Sequence, residues 1–160
     1  MKKAYITILG RSTWALINTY YAVLIEKAYY PDVIHVFAEE VYKGELEKAV
    51  EGLKILSEEY HFAPEIHTHV VGEADFVNAG IEISSLIRRL REEGYCIAID
   101  ITPGRKALVA AALIPAVKHR MNHVFYLAVR NLESKPYMMI PLAEQKLRDF
   151  IQEAKNVRGD

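Results

Sequence analysis

The chain has 160 residues, 51% hydrophobic and 26% charged, which suits one soluble domain built on one core. A formal net charge of −1 excludes a basic field that gathers long nucleic acid, so any polyanion must be held by local positive charge. The one cysteine, Cys96, excludes an intrachain disulfide and a cysteine-rich zinc site. No apolar stretch can span a bilayer, and the basic start runs into Gly10 too soon for a signal peptide, so a cytoplasmic protein with no membrane partner is expected.

Strand-length apolar runs alternate with segments of helical period. The expected elements are a strand over 3–9, a helix over 13–29 stopped near Pro31, and a strand over 33–38. A helix over 43–60 follows, with Leu46, Val50, Leu53 and Leu56 on one stripe. Next come a strand over 65–71, a helix over 75–93 capped by Asp75 and ended at Gly94, and a strand over 95–101. That strand is apolar on both faces except at its end, as a central parallel strand should be. A helix over 105–120 and a strand over 123–129 complete the regular part. The segment 136–141 reads as an edge strand, where proline is tolerated, and 142–155 as a last helix. The order predicts an α/β fold: a Rossmann-like open, mostly parallel sheet flanked by helices, in a single domain over 1–160 with its core in about 1–142.

The usual winding of such sheets places the first and fourth strands side by side, with ligands bound beyond their carboxyl ends. Two loops meet there. The residues 100–106 read Asp-Ile-Thr-Pro-Gly-Arg-Lys. Gly104 permits close backbone approach, the free amides of the next helix favour an anion, Thr102 adds a hydroxyl, and Arg105 and Lys106 add charge. Cations are unusual in the first turn of a helix, and a bound phosphate reverses that penalty. Both residues facing solvent over a plain structural turn is an equal reading of this loop alone. Gly10, Arg11, Ser12 and Thr13 repeat the chemistry, although Ser12 or Thr13 also reads as an ordinary N-cap. The loop is neither a Walker A nor a G-x-G-x-x-G sequence. Two such loops in one sheet favour an anionic ligand. Asp100 is expected to hold the turn through its carboxylate.

His67 and His69 share one strand face, but a metal needs further ligands, so no metal site is expected. Glu39, Glu40, Glu73 and Asp75 follow the second and third strands, where they can border the site, although most read better as solvated loop charges and caps. The helix after Lys106 is apolar all round and must be buried on every side. The helix after Ser12 has a similarly wide apolar face. As neighbours the two can bury each other, but the favoured expectation is a symmetric dimer packed through this side, which doubles the loops across a two-fold axis.

The residues 100–106 with the small-residue helix behind them, and more weakly Leu9 to Ser12, resemble the CARF domains, the CRISPR-associated Rossmann-fold sensors of cyclic oligoadenylates. Pro103 stands where many members have glycine. The resemblance covers the chain to about Leu142. It implies a homodimer binding one cyclic oligoadenylate, cyclic tetra-adenylate by family analogy, with no cofactor. The ligand-binding set it implies is Gly10, Arg11, Ser12, Thr13, Thr102, Pro103, Gly104, Arg105 and Lys106. Asn131, with Arg130, is added from its place after the fifth strand. No effector signature is visible, which resembles the stand-alone ring nucleases that switch off type III CRISPR signalling. In such an enzyme the 2′-hydroxyl of the ring attacks the adjacent phosphate without metal and leaves a 2′,3′-cyclic phosphate. Lys106 then stabilises the added charge and Ser12 orients the reacting group. The alternative is a sensor that binds without cutting, free-standing or cut from an effector nuclease.

Overall fold

The elements follow the apolar pattern closely. The computed structural model describes residues 1–130 and 139–159. In chain order they are β1 (Lys3–Leu9), α1 (Thr13–Lys27), β2 (Val33–Glu39), a 3-10 segment (Glu40–Glu45), α2 (Leu46–Glu59), β3 (Glu65–Val71) and α3 (Phe76–Glu92). There follow β4 (Cys96–Asp100), α4 (Lys106–Lys118), β5 (His123–Val129), a second 3-10 turn (Leu142–Glu144), β6 (Gln145–Asp149) and α5 (Phe150–Arg158). The strands form one sheet in the order β3-β2-β1-β4-β5-β6, with every pair parallel except β5–β6. This is the expected α/β, Rossmann-like, mostly parallel sheet. The strand order reverses between β1 and β4, where Thr7 stands beside Asp100.

Local rules place most ends. Ala28 closes α1 in the left-handed region at φ 47°, and Gly94 follows α3 at φ 80°, both satisfying the last carbonyls of their helices. Asp75 caps α3 by accepting from the Asn78 amide at 3.2 Å, as its sequence position predicts. The helix expected over 43–60 begins later, because Gly44 lies in the tighter 3-10 segment that precedes α2.

Three expectations fail. Among the described residues the sixth strand is Gln145–Asp149; of the segment expected as an edge strand, 139–141 form no strand and 136–138 lie outside the described residues. Consequently the helix expected over 142–155 is a 3-10 turn, a strand and the helix α5. The strand shows a two-residue alternation: Gln145, Leu147 and Asp149 are buried while Lys146 and Arg148 are exposed. Asp149 ends the strand by accepting from the Ile151 and Gln152 amides at 3.2 and 3.4 Å, and it pairs with His123 Nδ1 at 2.7 Å.

The third correction concerns α1 and α4. One core cluster joins β1, β2 and β4 to α3 and α4 through Ile6, Ile8, Phe37, Ile83, Ile99 and Leu108. The other lies on the opposite face, where Tyr5, Leu9, Leu16, Tyr20 and Leu53 join the sheet to α1 and α2. The two apolar helices therefore stand on opposite faces and cannot bury each other. Instead α1 packs tightly on α2: a Cβ on Gly52 would lie 2.4 Å from Ile17 Cδ1. On the other face α3 approaches α4 at Gly80, where a Cβ would sit 3.5 Å from the Ala111 carbonyl oxygen. That carbonyl lacks its usual helical donor, because residue 115 is proline. The outer side of α4 stays uncovered, with Ile114 and Val117 73% and 74% exposed.

Candidate anion site at the β1–β4 junction

The two loops singled out in the sequence touch. A Cβ added to Gly10 would lie 2.0 Å from the Pro103 carbonyl oxygen, so no larger residue fits without moving backbone. Gly104 is equally confined, but by the fold: its Cβ would lie 2.9 Å from Ile8 Cγ2 and 3.0 Å from Val109 Cγ2. Its missing side chain lets the turn settle on the end of β1. Pro103 is buried between the loops.

Asp100 is fully buried. Its Oδ1 accepts from the Thr102 amide at 2.9 Å and its Oδ2 from the Thr7 hydroxyl at 3.1 Å. Burial pushes its carboxyl up to about 6, against the opposing pull of those hydrogen bonds. The Tyr5 phenol lies close enough to feel this carboxylate, and burial first, then that charge, hold it far above its ordinary range. Its hydroxyl nevertheless has no partner at hydrogen-bond geometry among the described residues. Asp100 thus holds the turn, as its sequence position suggests. The Thr102 hydroxyl accepts from the Leu127 amide at 2.9 Å, so it ties the turn to β5.

Around this frame the polar groups divide. Ser12 is the N-cap of α1, its Oγ accepting from the Ala15 amide at 3.3 Å. The Thr13 hydroxyl donates to Glu45 Oε2 at 3.2 Å. Arg105 is the N-cap of α4 but gives no side-chain cap; its Nε pairs with Glu39 Oε2 at 3.0 Å. Lys106 opens α4 and is exposed, as is Arg11. Neither has an ion-pair partner among the described residues. Neither α1 nor α4 carries an acidic residue in its first turn. Two helix N-termini, with Arg11, Arg105 and Lys106 around them, thus converge with no carboxylate in either first turn. That arrangement favours a multiply charged anion. Asn131 lies outside the described residues.

Glu39 is the site residue that sequence reasoning undervalued. It is 3% exposed, not a solvated loop charge. A carboxylate closing a strand buried at all seven positions was the available signal. His35 was also missed: its Nδ1 lies 2.9 Å from His69 Nε2, and its ring stacks on His67. No group of three potential metal-ligating residues is placed to hold an ion among the described residues. No helix there is long and apolar enough to cross a membrane.

The sequence matches no protein-family model and no curated protein. Solved structures match the fold. Can2 from Sulfobacillus thermosulfidooxidans, in complex with cyclic tetra-adenylate, aligns at TM-score 0.59 and 11% identity over 78% of this chain and 31% of its own. Csm6 from Enterococcus italicus, bound to cyclic hexa-2′-fluoro-hexa-dAMP, aligns at TM-score 0.60 and 16% identity over 85% of this chain and 35% of its own. A type III CRISPR defence DNA nuclease activated by cyclic oligoadenylate aligns at TM-score 0.61 and 11% identity, over 81% of this chain and 19% of that one. The chain therefore spans about a third of the first two proteins and about a fifth of the third. Over the aligned regions the chain shares the fold of these proteins, the Rossmann-like fold that its resemblance to the CARF domains implies.

Proposed function

We propose that the chain binds a cyclic oligoadenylate, cyclic tetra-adenylate in the first instance, across a homodimer, and cleaves it slowly without metal. The observation that carries this reading is the contact between Gly10 and Pro103. It joins two helix N-termini and the exposed Arg11 and Lys106 into one cationic surface. The fold neighbours that hold cyclic adenylates support the ligand class.

The second copy is assigned to the α3–α4 face. A groove of about 760 Å³ runs between these helices, lined by Phe76, Val77, Ile81, Ile114 and Pro115. It begins at Ala107, the residue after Lys106. Two copies meeting there bring two Lys106 side chains toward one two-fold axis, which suits a ring with the same symmetry. Apolar exposure of this kind, next to the site, is the surface a self-association buries.

In the reaction the ring supplies its own nucleophile. A 2′-hydroxyl gives its proton to solvent as it attacks the adjacent phosphorus, the P–O5′ bond breaks, the 5′-oxygen takes a proton from solvent to leave as a hydroxyl, and a 2′,3′-cyclic phosphate remains. The protein aligns the three atoms and stabilises charge on the phosphate oxygens. Lys106 supplies that charge and Ser12 orients the phosphate or the 2′-hydroxyl. No histidine is assigned to proton transfer, in keeping with slow turnover.

One observation favours a pure sensor instead: the Ser12 oxygen already serves as the helix cap. Incubating labelled cyclic tetra-adenylate with excess protein in EDTA separates the two. Linear products with 2′,3′-cyclic phosphate ends are expected. A ring that is bound but intact after hours makes the chain a sensor, and tight binding of a mononucleotide without the ring removes the whole reading.

A further inference from the structure

The two halves of the anion site each meet a carboxylate, and both carboxylates come from one short stretch of chain. Glu39 closes β2, and its Oε2 lies 3.0 Å from Arg105 Nε, within ion-pair distance. Further along, Glu45 ends the 3-10 segment, and its Oε2 accepts from the hydroxyl of Thr13, the first residue of α1, at 3.2 Å. Glu40, next to Glu39, pairs with Lys43 instead. Neither α1 nor α4 has an acid of its own in its first turn. The acids that reach these two helix starts are therefore supplied from outside, by the connection between β2 and α2.

We infer that Glu39, with Glu45 as a weaker second, is an internal competitor for the anion site: it occupies Arg105 while no ligand is bound, and an incoming phosphate must take Arg105 from it. This rests on the anion-site reading above and adds what the ligand has to displace. Burial separates the two acids. Glu39 is 3% exposed, so its charge is little screened by water or salt, whereas Glu45 is exposed. The Arg105 side chain is 40% exposed and is the half of the pair that can turn outward. Once it does, Glu39 keeps one hydrogen bond, from the Ala74 amide to Oε1 at 3.0 Å, and no other cation within ion-pair distance among the described residues. A buried carboxylate left in that state is costly. Even before Arg105 leaves, the fixed negative charge lowers the potential that a phosphate meets. A phosphate that touches Arg105 alone gains little against this opposition. A ligand that also spans the exposed Arg11 and Lys106 can offset it. The pair thus keeps ordinary small phosphates off an otherwise cationic surface, a use of built-in repulsion for selectivity.

Glu39→Gln removes the charge but keeps an acceptor for the Ala74 amide, so the turn before α3 stays tied. Pyrophosphate is the probe, titrated by calorimetry at fixed ionic strength. Glu39→Gln should bind it about tenfold more tightly than the wild type. Glu45→Gln, at the exposed acid, should gain only about twofold. Arg105→Gln should weaken binding, because it leaves the buried carboxylate without its cation. Adding Glu39→Gln to that variant should restore most of the loss, the mark of two coupled residues. A second measurement needs no substitution. In the wild type, the sequentially assigned backbone amide signal of Ala74 should shift as pyrophosphate saturates, because the carboxylate that accepts from it loses its cation.

Glu39→Gln that melts like the wild type yet binds pyrophosphate no more tightly overturns the inference. So does an Ala74 amide signal that stays in place at saturation, or a double variant as weak as Arg105→Gln alone. Cyclic tetra-adenylate separates these failures from failure of the site. A wild type that binds the ring, with no gain in Glu39→Gln, keeps the site and loses the competitor. If wild type and Glu39→Gln bind neither the ring nor pyrophosphate, the anion site itself is removed, and the inference with it.

Discussion

The helices α1 and α4 begin at the two halves of the same site and are both apolar around most of their circumference, yet they end up in different surroundings. On α1, Leu16, Tyr20, Val23 and Leu24 are all fully buried between the sheet and α2. The Asn18 side chain there is also buried, its Oδ1 accepting from the Ile140 amide at 2.7 Å. On α4, Leu108, Ala112 and Ala116 reach the core while Ile114 and Val117 look outward. An apolar helix surface demands a cover, but the demand does not name it. For α1 the cover is internal. For α4 it is internal on one side only, and the exposed remainder lies beside the groove that leads from Lys106.

Substitutions on the two helices should separate these cases. Leu16→Glu buries a charge with no partner and should abolish cooperative unfolding, read by circular dichroism during a thermal scan. Val117→Glu should leave the melting curve nearly unchanged and convert a dimer to a monomer in light scattering. A dimer that survives Val117→Glu places the contact elsewhere and breaks the comparison. At the start of α4, the charge-stabilising role proposed for Lys106 predicts that Lys106→Ala slows ring cleavage about 100-fold or more under single-turnover conditions. Unchanged cleavage would remove Lys106 from the mechanism.

The next effect concerns the turn between β4 and α4. Asp100 titrates near 6 in the folded protein, above its ordinary value of 3.8. Folding therefore favours its protonated form. The stability this contributes is complete below the ordinary value and is lost as pH rises through about 6. His35 acts with the opposite sign. Burial first, then His69, His67 and Arg89, hold it down to about 3, so it withdraws stability as pH falls below its ordinary 6.5. Comparing wild type with Asp100→Asn isolates the carboxylate. The difference in urea-unfolding free energy should shift against the wild type by roughly 2 kcal/mol between about pH 4 and 7. A difference that stays flat with pH means the carboxyl titrates normally. The smallest effect is expected at the start of α1. Ser12→Ala should cost about 1 kcal/mol of stability through the lost cap. It should slow cleavage more than it weakens binding, whereas equal losses make Ser12 a binding residue only.

Most of the fold was legible because β1, β2 and β4 are buried on both faces and announce themselves as largely apolar runs; the span of β5 was read to the residue. The terminal strand was not, because Gln145–Asp149 is short, three of its five residues are charged, and a helix follows it without a break. At the site, Gly10 and Gly104 were readable as glycines with a purpose, but their purposes differ. Gly10 makes room for the Pro103 carbonyl, while Gly104 makes room for Ile8 and Val109. Residue type shows that a side chain is missing, and only packing shows what takes its place.

The sequence by itself determined the sheet class, the position of the two loops at the β1–β4 junction, and the presence there of Arg11, Arg105 and Lys106. Periodicity and strand-order rules suffice for that, because they act within single elements and between neighbours. Only the tertiary structure decided that α1 and α4 lie on opposite faces. It alone drew Thr7 onto Asp100, and placed Glu39 beside Arg105, 66 positions further along the chain. Such contacts join residues distant in sequence, and no local pattern encodes which buried acid will meet which half-exposed base.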